Sequence, residues 1–162
     1  MDPITFRRAT LADADEILLH RRSMFLDMGF TDAVALDRMV AASRPQLVRM
    51  LNDGSYLGWL AVDANGKTCA GAGLHISELL THPSSPDDAR RAYIYNVYTY
   101  PDYRRRGLAK RLTQEILAWC RAQKIHTVWL HASDQGRPVY EAMGFVQTNE
   151  MKIILSPDPT QH

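Results

Sequence analysis

The sequence predicts one α/β domain built on a mixed sheet of about six to seven strands, with helices on both faces. Three observations lead to this fold class. Segments with helical spacing of apolar residues and segments with alternating residues follow one another in the order β-α-α-β-β-β-α-β-α-β. A central hairpin meander precedes a β-α-β unit, which sets a parallel strand beside antiparallel ones. No repeat or linker interrupts the chain, so we expect a single domain over residues 1–155 and a loose tail over 156–162.

Composition limits the class of function. With 162 residues, 46% hydrophobic and 23% charged, the chain has the make-up of an ordinary globular domain. The net charge is only +1, and no nucleic-acid motif is present, so we expect no nucleic-acid partner. Since no apolar stretch approaches the roughly 20 residues that span a bilayer, we expect no membrane insertion.

The two cysteines give no sign of a disulfide or a metal site. Cys69 and Cys120 lie far apart, in apolar surroundings and without metal-ligand spacing. We therefore expect buried free thiols, no metal, and a reducing cytoplasmic location. The first residues also lack the basic and apolar regions of a signal peptide.

Two helices are expected in the first third of the chain. Thr10 and Asp13 have the spacing of a capping box, with Asp in place of the usual Glu or Gln, and the helix after them should end at Gly29. A second helical region covers residues 32–51, and Pro45 should break or kink it because proline removes a backbone donor.

The remaining elements follow from alternation, helical periodicity and turn residues. Strands are expected over residues 4–8, 56–62, 68–76, 92–99, 127–131 and 145–155, and helices over 107–124 and 137–143. Gly71 and Gly73 lie inside the third of these strands. They indicate a close backbone approach or a bulge there.

The most informative segment joins the strand over 92–99 to the helix that begins near Gly107. The first turn of a helix carries unpaired N–H groups and positive potential, which together attract phosphate. Gly107 and the small Ala109 leave room for an anion close to the backbone. Positive side chains surround the turn: Arg104, Arg105, Arg106, Lys110 and Arg111.

These residues resemble the signature of the GNAT superfamily of N-acetyltransferases. The signature is Arg or Gln, two residues, Gly, one residue, then Gly or Ala, which here is Arg104-x-x-Gly107-x-Ala109. The segment Tyr140-x-x-x-Gly144-Phe145 is similar to the family's later motif. Both motifs occur in the family's order, and the resemblance is specific over about residues 92–155.

The resemblance implies a GNAT fold, acetyl-coenzyme A as co-substrate and transfer to an amine. The backbone amides of the loop would hold pyrophosphate, and the strand before it would pair with the pantetheine arm. Tyr140 would protonate the departing thiolate, since a phenol keeps its proton at neutral pH. The implied coenzyme site consists of Val97, Tyr98, Thr99, Arg104, Arg105, Arg106, Gly107, Leu108, Ala109 and Lys110.

The general base is not evident from the sequence. Many relatives place a glutamate on the strand before the loop, whereas this chain has Tyr95 and Asn96 there. Glu78 and His75, near the end of the preceding strand, are candidates by position. His131 is a further candidate, although its place suggests a structural hydrogen bond, and a water relay remains an alternative.

The acceptor amine also remains open, and small amines, amino acids, antibiotics and the N-termini of peptides or proteins are all alternatives. Phe25 and Met28 are candidates for its pocket, together with either Tyr95 or Asn96, because alternation sends those two to opposite faces of the strand. The alternative to an enzyme is a coenzyme A-binding sensor that has lost catalysis. Homodimerisation is common in the family, and the sequence contains no feature that demonstrates it.

Overall fold

The computed structural model describes residues 3–83 and 85–155. The expected tail over 156–162 lies outside them. The strands are β1 (Thr5–Arg8), β2 (Tyr56–Val62), β3 (Thr68–Glu78), β4 (Arg90–Thr99) and β5 (Val128–Leu130). The helices are α1 (Ala14–Asp27), α2 (Ala33–Asp53), α3 (Leu108–Ala122) and α4 (Arg137–Glu141), with 3-10 turns at Leu11–Asp13 and Pro101–Tyr103.

The five strands form one mixed sheet in sequential order. β1 to β4 are antiparallel neighbours, and β5 is parallel to β4. α3 covers one face, where Leu112 and Ile116 pack against Leu74 and Ile94. α1 and α2 cover the other face around Tyr56. The predicted fold class, with a mixed sheet and helices on both faces, is therefore confirmed.

The start of α1 is fixed by the residues that the sequence singled out. The backbone N–H of Thr10 donates to the Asp13 carboxylate at 2.7 Å, and the Thr10 hydroxyl donates to the same oxygen at 3.1 Å. Arg7 donates two further hydrogen bonds to Asp13, at 2.9 and 2.7 Å. The expected capping interaction is present, and Arg7 ties it to β1.

α2 continues through Pro45 as a single helix, so the expected break does not occur. Leu36 and Leu47 are buried on either side of the proline. Their packing holds both halves of the helix in place while Pro45 itself is exposed. This tertiary packing outweighs the local cost of the missing backbone hydrogen bond.

The strand expected over residues 145–155 does not form within the described chain. Gly144 turns the backbone with a φ of 92°, and the following residues pair with no strand. An ion pair between Glu150 and Arg91 joins this segment to β4. Several of its apolar side chains are exposed, namely Val146, Met151, Ile153, Ile154 and Leu155. Because β5 has only three residues, it offers little edge for another strand to pair with.

Cys69 and Cys120 are buried free thiols, as expected. None of the helices in the described ranges combines the length and apolar composition that crossing a bilayer requires. The same ranges contain no cluster of three His, Cys, Asp or Glu that could hold a metal ion.

Candidate active site

A split between β4 and β5 marks the centre of the site. β5 pairs with β4 only from Ala92 to Ile94, whereas β4 continues to Thr99. On its other edge β4 still pairs with β3, as far as Ala70 opposite Thr99. The β5-facing edge of residues 97–99 therefore has no neighbouring strand. An extended ligand arm can add there by main-chain hydrogen bonds.

A bulge in β4 lies at the base of this split. Gly71 is opposite Tyr98 and Gly73 is opposite Tyr95, so two residues of β4 occupy the space across from one residue of β3. The first of the two, Asn96, has a left-handed φ of 51°. Bulges of this kind bend a strand and redirect its side chains.

The bulge places Tyr95 and Asn96 on the same face, so the expectation of opposite faces is wrong. The Tyr95 ring lies 5.9 Å from that of His75, and the Asn96 amide donates to the Tyr56 hydroxyl at 3.1 Å. Tyr56 and His75 are register partners and therefore share a face. Regular alternation does not apply across an inserted residue, which explains the error.

The loop before α3 has the backbone of an anion cradle. Arg105 and Gly107 both adopt left-handed φ values, of 62° and 74°. Within the described chain, the first amide of this turn to find a backbone acceptor is that of Arg111, which bonds to the Gly107 carbonyl at 3.0 Å. The N–H groups of residues 105–110 remain free to bind a ligand. When left-handed and right-handed backbone conformations alternate in this way, successive N–H groups point into a concavity that binds phosphate.

The arginines of the loop have different roles. Arg104 donates to the Thr99 carbonyl at 3.0 Å and forms an ion pair with Asp27 at the end of α1. Arg106 donates to the Asp102 carbonyl at 2.9 Å. By contrast, Arg105 forms no ion pair within residues 3–83 and 85–155. Arg104 and Arg106 therefore shape the loop, while Arg105 keeps its charge available.

Tyr140 lies on α4, which follows β5 in the chain. Its ring packs edge to face on Phe145 at 5.8 Å, and its carbonyl accepts from the Phe145 N–H at 3.1 Å. Burial raises the pKa of Tyr140 to about 12. Its hydroxyl has no hydrogen-bond partner in the described part of the chain. The phenol is therefore a protonated donor that is free to act on a ligand.

Comparisons with known proteins agree with this geometry. The model of the acetyltransferase (GNAT) family matches residues 23–145. The chain belongs to the GNAT acetyltransferase family. It is therefore an acyltransferase of the acetyl-CoA-dependent N-acetyltransferase type. No curated protein sequence matches the chain.

Solved structures add detail to the family assignment. A GCN5-related N-acetyltransferase from Ralstonia eutropha JMP134 is 34% identical, with a TM-score of 0.88 over 94% of this chain and 99% of that one. A predicted acetyltransferase with acetyl-CoA from Clostridium acetobutylicum is 24% identical, with a TM-score of 0.84 over 94% and 96%. Glucosamine-6-phosphate N-acetyltransferase from Arabidopsis thaliana shares the fold at 16% identity, with a TM-score of 0.64 over 97% and 100%.

The three candidate bases of this GNAT domain occupy different positions. His75 is two residues along β3 from the Gly73–Tyr95 pair, or about 7 Å. Burial lowers the pKa of His75, although Asp53 opposes the shift, so the imidazole is neutral at physiological pH. Glu78 is opposite Arg90, about 17 Å from the same pair, and alternation puts it on the other face.

His131 follows directly after β5 and is exposed. The structural hydrogen bond expected for it is absent from residues 3–83 and 85–155. His75 is the candidate that the structure brings onto the same face as Tyr95 and Asn96.

The end of α1 forms an apolar wall near the split. Phe25 packs edge to face on Phe30 at 5.5 Å. Met28 and Phe30 are 47% and 56% exposed, which is high for side chains of their type. The ion pair between Asp27 and Arg104 holds this wall against the loop that precedes α3.

Three residues of the site were not found by sequence reasoning. Arg21 on α1 donates to the side-chain Oδ1 of Asn96 at 3.0 Å, and the Tyr56 hydroxyl accepts from the Nδ2 of the same side chain. His20 is buried above Gly71, where a Cβ would lie 2.5 Å from its Nδ1. The two strand glycines were the available signal, because each marks a side chain that lies directly on the sheet.

Proposed function

We propose that this enzyme transfers the acetyl group of acetyl-CoA to a primary amine by direct attack within a ternary complex. The observation that carries the proposal is the split beyond Ile94, which ends at the amide cradle of residues 105–110. One edge of β4 can bind an extended arm while the cradle binds the pyrophosphate. The acceptor then approaches from the face that carries His75, Tyr95 and Asn96.

The residues support a balanced reaction. His75, or a water bound to it, takes the proton of the ammonium group, and the neutral amine attacks the thioester carbon. As the new C–N bond forms, the C–S bond breaks, and Tyr140 gives its proton to the thiolate. The nitrogen then loses its second proton, through water, to the Tyr140 phenolate, which restores the phenol. The raised pKa of Tyr140 keeps the phenol protonated until that moment. No covalent enzyme intermediate is required.

The test measures thiol release from acetyl-CoA across a broad panel of primary amines, with wild type and Tyr140→Phe. The phenylalanine keeps the ring contact with Phe145 and removes only the hydroxyl. We expect a loss of about 10²- to 10⁴-fold in kcat, with acetyl-CoA affinity unchanged. Equal turnover by the two proteins at every pH would remove Tyr140 from the acid role.

The panel also separates the enzyme from a sensor that has lost catalysis. Tight acetyl-CoA binding with no turnover of any amine would favour the sensor. A calorimetric titration that detected no coenzyme A binding would contradict both functions.

A further inference from the structure

Arg21 lies between the β4 bulge and the end of α1. Its Nη1 donates to the Oδ1 of Asn96, the left-handed residue of the β4 bulge, at 3.0 Å. Its guanidinium carbon is 5.0 Å from the centre of the Phe25 ring, on the apolar wall at the end of α1. The guanidinium is therefore placed between the strand that borders the split and the wall that faces it.

Arg21 has no carboxylate partner among the described residues. Its contacts are a neutral amide oxygen and the face of an aromatic ring. The guanidinium group carries five N–H donors in a planar fork, so most of its donors remain available. A partly buried arginine of this kind is suited to bidentate binding of a carboxylate.

The carboxylates at the end of α1 and the start of α2 are already engaged elsewhere. Asp27 pairs with Arg104, and Asp37 accepts from Arg22 at 2.8 Å. Asp32 caps α2 by accepting from the Ala35 N–H at 3.1 Å. Asp27 and Asp32 therefore offer no free carboxylate to Arg21.

Asn96 contacts Arg21 through a neutral amide, so it does not neutralise the charge of the guanidinium. Its Nδ2 donates to the Tyr56 hydroxyl at 3.1 Å, which fixes the amide and directs its oxygen toward Arg21. Tyr56 is buried, and burial raises its pKa to about 12, so it is also neutral. The Tyr56–Asn96 pair positions the guanidinium without neutralising it.

We propose that the acceptor of this enzyme is an amino acid with a free carboxylate, which Arg21 binds while the apolar wall of Phe25, Met28 and Phe30 contacts the rest of the molecule. This inference rests on the function proposed above, because it concerns the acceptor of the same reaction. It differs from that function in naming the chemical group that selects the acceptor.

The test compares amines that differ only in the carboxylate. The probes are L-phenylalanine, L-methionine, β-alanine and 4-aminobutanoate, each beside its primary carboxamide, titrated calorimetrically into protein saturated with coenzyme A. For at least one pair, we expect wild type to bind the carboxylate about 10- to 100-fold more tightly than the amide. Arg21→Met should reduce this preference to less than about twofold, and Arg21→Lys should retain part of it.

Arg22→Met is the matched control. It removes a neighbouring arginine that already pairs with Asp37, so the carboxylate preference should remain. Thermal unfolding of each variant distinguishes a lost contact from a lost fold. The proposal would be overturned if folded Arg21→Met kept the preference for the carboxylate over the carboxamide. It would also be overturned if wild type showed no such preference for any pair.

Thiol release with acetyl-CoA separates this inference from the proposed function. If the primary carboxamides are acetylated as efficiently as the matching amino acids, the acetyltransferase function stands and the role of Arg21 is rejected. A carboxylate preference in binding without any turnover would support Arg21 and reject the catalytic function instead.

Discussion

The Tyr56 hydroxyl lies directly over Gly73, where a Cβ would come within 1.9 Å of its oxygen. The same hydroxyl accepts the hydrogen bond that fixes Asn96 at the β4 bulge. The missing side chain of Gly73 thus leaves room for Tyr56, and through Tyr56 it affects the position of Asn96.

Gly73→Ala should therefore destabilise the protein and disturb the site. The methyl group has to displace the buried Tyr56 ring, and such overpacking costs about 1–3 kcal/mol in the free energy of unfolding. Urea unfolding measures the loss. In a Tyr56→Ala background the same substitution should cost much less, because the clashing ring is gone. Additive losses in the double variant would contradict the contact.

Gly107→Ala should weaken acetyl-CoA binding by tenfold or more. The position has a φ of 74°, and a Cβ there would protrude into the cradle where the pyrophosphate is expected. Gly54→Ala is a matched control, since Gly54 has a φ of 78° and, like Gly107, nothing within 4 Å of its Cβ position. Calorimetry should find normal affinity in the control, although both variants lose stability. Similar acetyl-CoA affinities in both variants would show that the cradle does not bind the coenzyme.

A histidine base predicts an acid limb in the pH profile of kcat/KM. Protonated His75 cannot accept a proton, and burial lowers its pKa below the ordinary 6.5. Activity should therefore fall only below about pH 6.5. His75→Gln should remove that limb and reduce the rate by about 10²- to 10³-fold. If the acid limb persists in His75→Gln but vanishes in His131→Gln, the base is His131. If the limb persists in both variants, a water relay is favoured.

Asp13 should contribute to stability at neutral pH and lose that contribution in acid. Hydrogen bonds from Arg7, helped by Thr10, lower the pKa of Asp13 to about 2. A carboxyl whose pKa falls on folding stabilises the protein above its ordinary pKa of 3.8, and the stabilisation disappears as pH falls toward 2.

Asp13→Asn should therefore cost about 1 kcal/mol at pH 7, after allowance for the exposure of Arg7 to solvent. The difference in unfolding free energy between wild type and Asp13→Asn should shrink between about pH 4 and pH 2. Asp87→Asn is a control at an exposed carboxylate that has no ion pair within the described chain. A difference that stays constant with pH would contradict the link to Asp13.

Local chemistry explains which features were readable from the sequence. The loop from Arg104 to Ala109 was recognisable because its function depends on backbone conformation, which glycine and helix onset reveal directly. The β2 bounds, Tyr56–Val62, were predicted without error because a turn brackets the strand on each side. In both cases the deciding interactions lie within a few residues of one another.

The features that were missed depend on partners far along the chain. The bulge at Asn96 is stabilised by Arg21 and Tyr56, which lie 75 and 40 residues away. The continuity of α2 through Pro45 likewise depends on packing by Leu47. The expected strand over 145–155 had suitable residues, but strand formation also requires an edge to pair with, and β5 is too short to provide one.

The buried thiols have a practical consequence for every assay of this enzyme. Cys69 and Cys120 are 0% and 1% exposed, and burial raises the pKa of Cys120 to about 11. Since only thiolates react quickly with disulfide reagents, the folded protein should be silent toward such a dye. The dye then counts released coenzyme alone during turnover. In the absence of substrate the dye reports the rate of unfolding, because each molecule that unfolds exposes two thiols that are buried in the folded state.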